Sequence, residues 1–404
     1  MKNCAKKALL VLAAVCFFLL PGTLKAGAAS PEETDVDKSI WTWDILVVPP
    51  DDGWDKDAGT SIKNTLEWHR REVSEMGDGI HGHDIDFILL PPLTEESAES
   101  YTFPMTPRTI AIFSFASSRV DGLLAERAVA SGVPLMLGGG ENVFFFRRGR
   151  IMPFVFALDL FQDFRCRAFA DYARLTLPRE ARLGIIGARF TLNEEREAKI
   201  CFDLFTDEGF RPMPFWQDAS VVSSFSIVER EIRDASDGVL ISYIGGMGSK
   251  EIWHGITAGY QSPYRLWYGG APDRSFLSFH GMIFADQNMY LEERGGFEQL
   301  RRDLWRTRTL AVPDIVAAGR ANALTIWLTK GLAALPRITG QPNREAFLAS
   351  LANVSRIPFG NQTFDIDRET HRPAFRRVYI LEVRGRTFSV LEAIDVQGLK
   401  YYDY

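Results

Sequence analysis

The chain of 404 residues is too long for a single hydrophobic core and predicts two domains. Its formal net charge of −6 argues against nucleic-acid binding, which requires basic patches. Four cysteines, two of them within the first 16 residues, exclude a disulfide framework as the basis of the fold.

The first residues have the pattern of a secretory signal peptide. Lys2, Lys6 and Lys7 precede the apolar run ALLVLAAVCFFLL, and small residues follow up to Ala28. A run of 13 apolar residues is shorter than the about 20 needed to span a bilayer. We expect cleavage near Ala28, which removes four lysines and no acids and leaves an exported, periplasmic chain of net charge −10.

The cysteines leave alternatives open. Cys16 would be the modified residue of a lipoprotein, but Val15 is a poor residue before a lipidated cysteine, which favours the cleavable peptide. Cys166 and Cys201 lie on two predicted helices that flank one strand. Two buried thiols are favoured over a disulfide there, because helix-borne cysteines rarely meet the distance requirement.

The mature chain alternates buried strands with amphipathic helices, which predicts an α/β architecture with right-handed crossovers. The apolar runs are mostly continuous, as expected for a parallel sheet covered on both faces. Strands are predicted at residues 44–49, 85–90, 109–115, 133–137, 183–187, 238–243, 264–268 and 282–285. Helices are predicted at residues 58–73, 119–130, 161–177, 194–207, 221–235 and 249–259.

After residue 285 the regular alternation of strands and helices ends. Helical patterns cover residues 295–306, 315–335 and 344–351. In the β-rich tail, residues 363–366 and 377–383 are predicted to pair as a hairpin with a long loop, and residues 388–394 form a third strand.

The strand predicted at residues 109–115 is followed by two hydroxyl side chains, Ser117 and Ser118, at the start of a helix. Parallel sheets place ligands outside the carboxyl ends of their strands. Ser118 can cap the helix, and the free amides beside a serine hydroxyl also suit a carboxylate. Capping and ligand contact are compatible interpretations.

Five segments, in their order and spacing, resemble the type I periplasmic solute-binding proteins of the leucine/isoleucine/valine-binding family, which serve ABC importers. The resemblance covers nearly the whole mature chain. The segments are AGTSIKNTLEWHRREVSEMGDGIHGHDIDFI, ASSRVDGLLAERAVASGVPLMLGGGEN, PFVFALDLFQDFRCRAFADYARLTLPREARLGIIGARF, AAGRANALTIWLTKGLAAL and FGNQTFDIDRETHRPAFRRVYILEVRGRTFSVLEAI.

The resemblance implies two lobes, each a parallel-rich sheet sandwiched by helices, joined by three crossings. Lobe 1 would take residues 40–157 and 286–356, and lobe 2 residues 158–285 and 357–404. It also implies a monomeric binding protein without catalysis or a cofactor. Such a protein captures an amino-acid-like molecule, or a related carboxylate or amine, between its lobes and delivers it to an ABC permease in the inner membrane.

The resemblance also implies ligand-binding positions. The carboxylate-binding serine of the family corresponds to Ser117 or Ser118, and the next contact loop to Gly140 and Glu141. The aromatic wall of the cleft corresponds to Tyr243.

Several of these positions depart from the family pattern. Glu141 stands where the family has a threonine, whose hydroxyl can donate to a ligand carboxylate. The Glu141 carboxylate would instead repel a ligand carboxylate at an approach of ~4 Å. The family's ammonium-binding glutamate falls near Ala271, with Asp273 as the nearest acid, and Trp54 lies in the first loop. Arg119 is an alternative anion anchor or an exposed first-turn arginine. The positions that would hold the carboxylate and the ammonium group of an amino acid are therefore altered. Branched-chain amino acids are only a weak default expectation for the ligand.

Two other functions are alternatives to transport. A sensory protein would engage a membrane receptor instead of a permease. An exported enzyme would need a nucleophile–base pair or a metal set, and six scattered histidines do not supply one. His81 and His83 lie in a turn away from the cleft without an assured third ligand, and the glycines at 138–140 lack the spacing of a nucleotide loop.

Overall fold

A computed structural model of the chain describes residues 42–75, 79–138, 146–147, 150–158, 162–188, 192–217, 238–243, 252–254, 265–270, 274–286, 297–306, 311–338, 340–360, 362–368, 371–374 and 377–396. The signal peptide, the helix expected at 221–235 and most of that at 249–259 lie outside these ranges. No helix within them combines the length and apolarity that crossing a membrane requires.

The first sheet is entirely parallel. Its strands are β1 (Thr42–Val48), β2 (Asp84–Leu89), β3 (Thr109–Ser114), β4 (Leu135–Leu137) and β7 (Val155–Ala157), and a short pair, β5 (Phe146–Arg147) and β6 (Arg150–Ile151), precedes the last. Their spatial order is β2-β1-β3-β4-β7. Ser114 lies opposite both Val48 and Leu137, so three neighbouring strands end at the same level.

Six helices belong to the segments around this sheet: α1 (Asp57–Glu75), α2 (Glu95–Ser100), α3 (Ser118–Ser131), α6 (Glu298–Arg306), α7 (Ile315–Ala333) and α8 (Arg344–Leu351). Helix α7 packs against α1, α8 and the segment Ile357–Phe359. A helix enclosed in this way is apolar on most sides, which explains its sequence. Asp314 caps its start by accepting bonds from two backbone amides.

The second sheet has seven strands. They are β8 (Arg182–Ala188), β9 (Arg211–Gln217), β10 (Val239–Ser242), β11 (Arg265–Tyr268), β12 (Ile283–Asp286), β17 (Arg377–Arg384) and β18 (Thr387–Asp395). Their order is β18-β17-β12-β11-β10-β8-β9. The strands from β8 to β12 are parallel, and β17 runs antiparallel to both β12 and β18. In the described part of the chain, helices α4 (Gln162–Thr176) and α5 (Leu192–Asp207) accompany this sheet.

The second sheet combines strands from two distant parts of the sequence. The chain leaves the first sheet after β7 and completes the parallel part of the second at β12. It then forms α6, α7 and α8 before its last strands join β12. The fold is therefore α/β with two parallel-rich sheets and their helices, and the lobe limits given above stay a prediction.

The eight strands predicted before residue 286 are all present, with ends within two residues of the expected positions. Strand β9 was missed because Pro212 and Pro214 interrupt its pattern. The amide of Arg211 donates to the Ala181 carbonyl on the β8 side, so the two alternate prolines direct their nitrogens outward. At the edge of a sheet a missing N–H group costs nothing and protects against pairing with another chain.

The predicted hairpin between residues 363–366 and 377–383 is wrong. Strand β14 (Gln362–Phe364) pairs with β13 (Ile357–Phe359), and the short β15 (Ile366–Asp367) pairs with β16 (Arg372–Pro373). The hairpin partner of β17 is β18. Their two-residue loop, Gly385 and Arg386, has φ of 54° and 70°, the left-handed pair that a type I′ hairpin turn requires.

Candidate functional site

The start of α3 faces the loop that follows β1. Ser117, and not Ser118, is the N-cap residue, and its side chain makes no capping bond. Its backbone amide instead donates to Asp51 Oδ1 at 2.9 Å. The expected capping role of Ser118 is therefore wrong, since the helix begins at that residue. A carboxylate of the protein already bonds to the helix start.

A second carboxylate lies inside the first turn of α3. Asp121 is fully buried, and the Ser114 hydroxyl donates to its Oδ1 atom at 2.5 Å. This bond joins the last residue of β3 to the helix that follows it. An acid in the first turn is favoured by the helix dipole, and a buried acid needs such donors.

The end of β4, next to that of β3, is fixed by two hydrogen bonds of the Gly138 backbone. Its amide donates to the Ser114 carbonyl at 2.8 Å, and its carbonyl accepts from Arg320 Nη1 at 2.9 Å. A Cβ atom at this position would lie 2.4 Å from the Phe115 ring, so only glycine fits. Arg320 was not predicted as a site residue. The signal that could have found it is a charge in the middle of an apolar helix.

Trp54 closes the loop after β1. Its indole Nε1 donates to the Leu90 carbonyl at 2.7 Å, just beyond the end of β2. Gly59 of α1 lies so close that a Cβ atom there would be 2.2 Å from the Gly53 carbonyl oxygen. The loop that carries both Asp51 and Trp54 is therefore held against α1 and the neighbouring strand end.

In the second sheet, Tyr243 follows the end of β10 and is 2% exposed. Its hydroxyl bonds to Cys166 Sγ at 2.5 Å, and its ring lies 2.1 Å from where a Cβ atom of Gly269 would stand. Burial, together with the neighbouring thiols of Cys166 and Cys201, raises the pKa of Tyr243 well above its ordinary value. The ring lies against Gly269 at the end of the neighbouring strand and is shielded from solvent, and its expected contact with the ligand stays a prediction.

The structure thus joins Ser117 to the loop of Trp54 through Asp51 and places Gly138 at the adjoining strand end. Tyr243 belongs to the other sheet. The predicted positions Gly140, Glu141 and Asp273 and the side chains of Ser118 and Arg119 lie outside the described part of the chain. Cys166 and Cys201 are both buried thiols and are not joined by a disulfide bond.

The histidines of the turn before β2 have structural partners. The Nε2 atom of His81 bonds to the Leu332 carbonyl at 2.9 Å. The ring of His83 stacks on Trp43 at 4.1 Å and bonds through Nε2 to the Ile338 carbonyl at 3.3 Å. These bonds hold the turn to the end of α7. The described residues contain no group of three side chains suited to a metal ion.

Comparisons with known proteins place the chain by its fold. No protein-family model matches it, and no curated protein matches it by sequence. The solved structure of the leucine-binding protein LivK from Thermotoga maritima has 14% identity and a TM-score of 0.68, covering 87% of this chain and 99% of that one.

Two further solved structures are similar. An ABC-transporter solute-binding protein from R. palustris in complex with benzoate has 15% identity and a TM-score of 0.64, covering 87% of this chain and 96% of that one. A periplasmic binding protein type 1 from Bordetella pertussis has 13% identity and a TM-score of 0.66, covering 88% and 100%. This chain therefore has the two-lobed fold of the type I periplasmic binding proteins.

Proposed function

We propose that this protein is an exported solute-binding protein that captures a small organic molecule between its two lobes and delivers it to an ABC importer. The observation that carries the proposal is the extent of the likeness. It spans 87% of this chain and nearly all of a leucine-binding protein and of a protein solved with benzoate. A match of both lobes in one order supports a shared mode of action more than a match of one domain would.

Binding, and not chemistry, is the proposed mechanism. A ligand that contacts both lobes stabilises the closed arrangement and shifts the population toward it. The closed form is then the one that a permease in the inner membrane recognises. The signal-peptide pattern supports a periplasmic location, and a single chain is sufficient for such a site.

The proposed contacts lie at the strand ends. Ser117 and Ser118 would contact the ligand from lobe 1, with Gly140 and Glu141 on the next loop and Trp54 beside them. Asp273 is the proposed acid on lobe 2. Tyr243 is the proposed aromatic wall on lobe 2, and its ring packs against Gly269 where a strand of the second sheet ends.

A thermal-shift screen tests the proposal. The mature chain, refolded to remove any bound molecule, would be heated with amino acids, aromatic acids, amines and amides. A compound at 100 times its dissociation constant adds about 2.7 kcal/mol, which raises the melting temperature by several degrees. We expect at least one chemical class to do so. If no compound of a broad set stabilises the chain, solute binding is contradicted.

A further inference from the structure

We infer that the outward face of helix α6 (Glu298–Arg306) is a docking surface for an acidic protein partner, with Trp305 as its central contact. The inference rests on the proposed function, in which that partner is the membrane permease. It deepens that function by naming the surface of this chain that the permease would bind.

The first observation is the exposure of Trp305. Among the described residues it is the most exposed large apolar side chain, at 81%, followed by Leu175 at 68%. The inward face of α6 is already filled, because Leu300 and Leu304 are buried in a cluster that includes Trp68 of α1 and the start of α7. The indole therefore takes no part in holding the helix to the protein. Burying such a ring against a partner is among the largest gains that an interface offers.

The second observation is the set of guanidinium groups around the indole. Arg301 and Arg302 lie one turn before Trp305 on the helix surface, and Arg306 follows it directly. All three arginines are exposed. Arg302 is paired with Glu298, Nη2 to Oε1, at 2.5 Å. In the described part of the chain, neither Arg301 nor Arg306 has an ion-pair partner, so both charges are available to another molecule.

The acids of α6 do not cancel this charge. Asp303 lies half-buried at the side of the helix and accepts hydrogen bonds from Gln299. Glu298 is committed to Arg302. The outward face is thus locally positive on a chain whose net charge is −6. A positive face with an aromatic centre is complementary to a partner surface that has carboxylates around an apolar pocket.

A protein surface fits these features better than a lipid bilayer does. A helix that lies in the bilayer interface buries an apolar stripe there, whereas the leucines of α6 face the protein. Anionic headgroups also repel a chain of net negative charge. Tryptophan and arginine are the residues enriched at the energetic centres of protein interfaces. Helix α6 would be the centre of a larger contact, because a stable interface buries about 800 Å² on each partner.

Uptake by spheroplasts of the source organism that lack the gene tests the inference. Purified mature protein is added with a radiolabelled compound that the thermal screen selects, and the protein concentration that gives half-maximal uptake is measured. Trp305→Ser should raise this concentration at least about tenfold. Arg301→Gln combined with Arg306→Gln should raise it at least about threefold, and more at low ionic strength. The affinity for the compound, measured by calorimetry, should be unchanged in both variants.

Leu175→Ser is the matched control, because it removes an exposed apolar side chain from α4, beside the other sheet. It should leave the half-maximal concentration unchanged. Thermal unfolding verifies that each variant folds, which is expected because the substituted side chains are exposed. An equal effect of Leu175→Ser, or unaltered uptake with both α6 variants, overturns the inference while the proposed function stands.

Two other occupants have their own measurements. Co-sedimentation of the wild type with phosphatidylglycerol vesicles that Trp305→Ser abolishes would assign the surface to a bilayer and overturn the inference. Self-association in analytical ultracentrifugation that the same variant abolishes would assign it to a second copy, with the same consequence. If the wild type binds the compound and supports no uptake, delivery to an importer is contradicted and the inference fails with it.

Discussion

Replacing Arg165 with methionine is expected to destabilise the protein by about 3–5 kcal/mol, because it leaves a carboxylate buried without its cation. Arg165 on α4 is fully buried, and its Nη2 atom lies 3.5 Å from Oδ2 of Asp286, which is 2% exposed. Helix α4 begins just after the chain leaves the first sheet, and Asp286 ends the last strand before the chain turns to α6. The pair therefore joins a helix and a strand of the second sheet, each next to a point where the chain passes between the sheets.

Chemical denaturation of matched variants measures this effect. Arg211→Met removes an exposed arginine from its pair with Glu180 and should cost no more than about 1 kcal/mol, since exposed pairs are screened by water. Adding Asp286→Leu to Arg165→Met should recover much of the lost stability, because the orphaned charge is then absent. A cost for Arg165→Met no greater than that for Arg211→Met would show that the buried pair is unimportant.

Acidification from pH 7 to pH 4 is expected to reduce the free energy of unfolding by about 3 kcal/mol through His69 alone. Burial lowers the pKa of His69 from 6.5 to about 4, in spite of its bond from Nε2 to Asn322 Oδ1 at 2.9 Å. Between these two values the unfolded chain binds a proton that the folded chain does not. The contribution of His69 to the free energy of unfolding is therefore fully present above about pH 6.5 and declines as the pH falls toward 4.

The pH dependence is best measured as a difference between the wild type and His69→Gln. Burial also lowers the pKa of His83 and His371, so the total dependence contains their contributions in the same direction. Hydrogen bonds from Arg70 lower the pKa of Glu67 to about 2, and its contribution is lost only below about pH 4.5. Unfolding free energies at pH 7, 6, 5 and 4.5 should thus fall less steeply in the variant. Parallel curves would contradict a neutral, buried His69.

Much of the fold could be predicted because a strand covered on both faces has a continuous apolar sequence. This held for the buried strands and for α7, whose enclosed position makes it apolar on most sides. It failed where the edge of a sheet tolerates proline, as at Pro212 and Pro214 in β9. It also missed β7, which has only three residues.

Less of the site could be predicted, because its contacts depend on register and side-chain direction. The sequence indicated that Ser117 lies at a strand end. The bond to Asp51 joins residues 66 positions apart and exists because β1 and β3 end side by side. The direction of the Tyr243 ring was not predictable either. One position past a strand, a ring can turn toward solvent or into the core, and the Cys166 thiol accommodates it inside.

Small-angle X-ray scattering of the mature chain, with and without a compound that the thermal screen selects, tests whether the two lobes close on a bound molecule. A molecule held between two lobes draws them together, so we expect a smaller radius of gyration with the compound at saturation. The radius should return to its first value when the compound is removed by dialysis. A compound that stabilises the chain and leaves the radius of gyration unchanged would contradict capture by lobe closure.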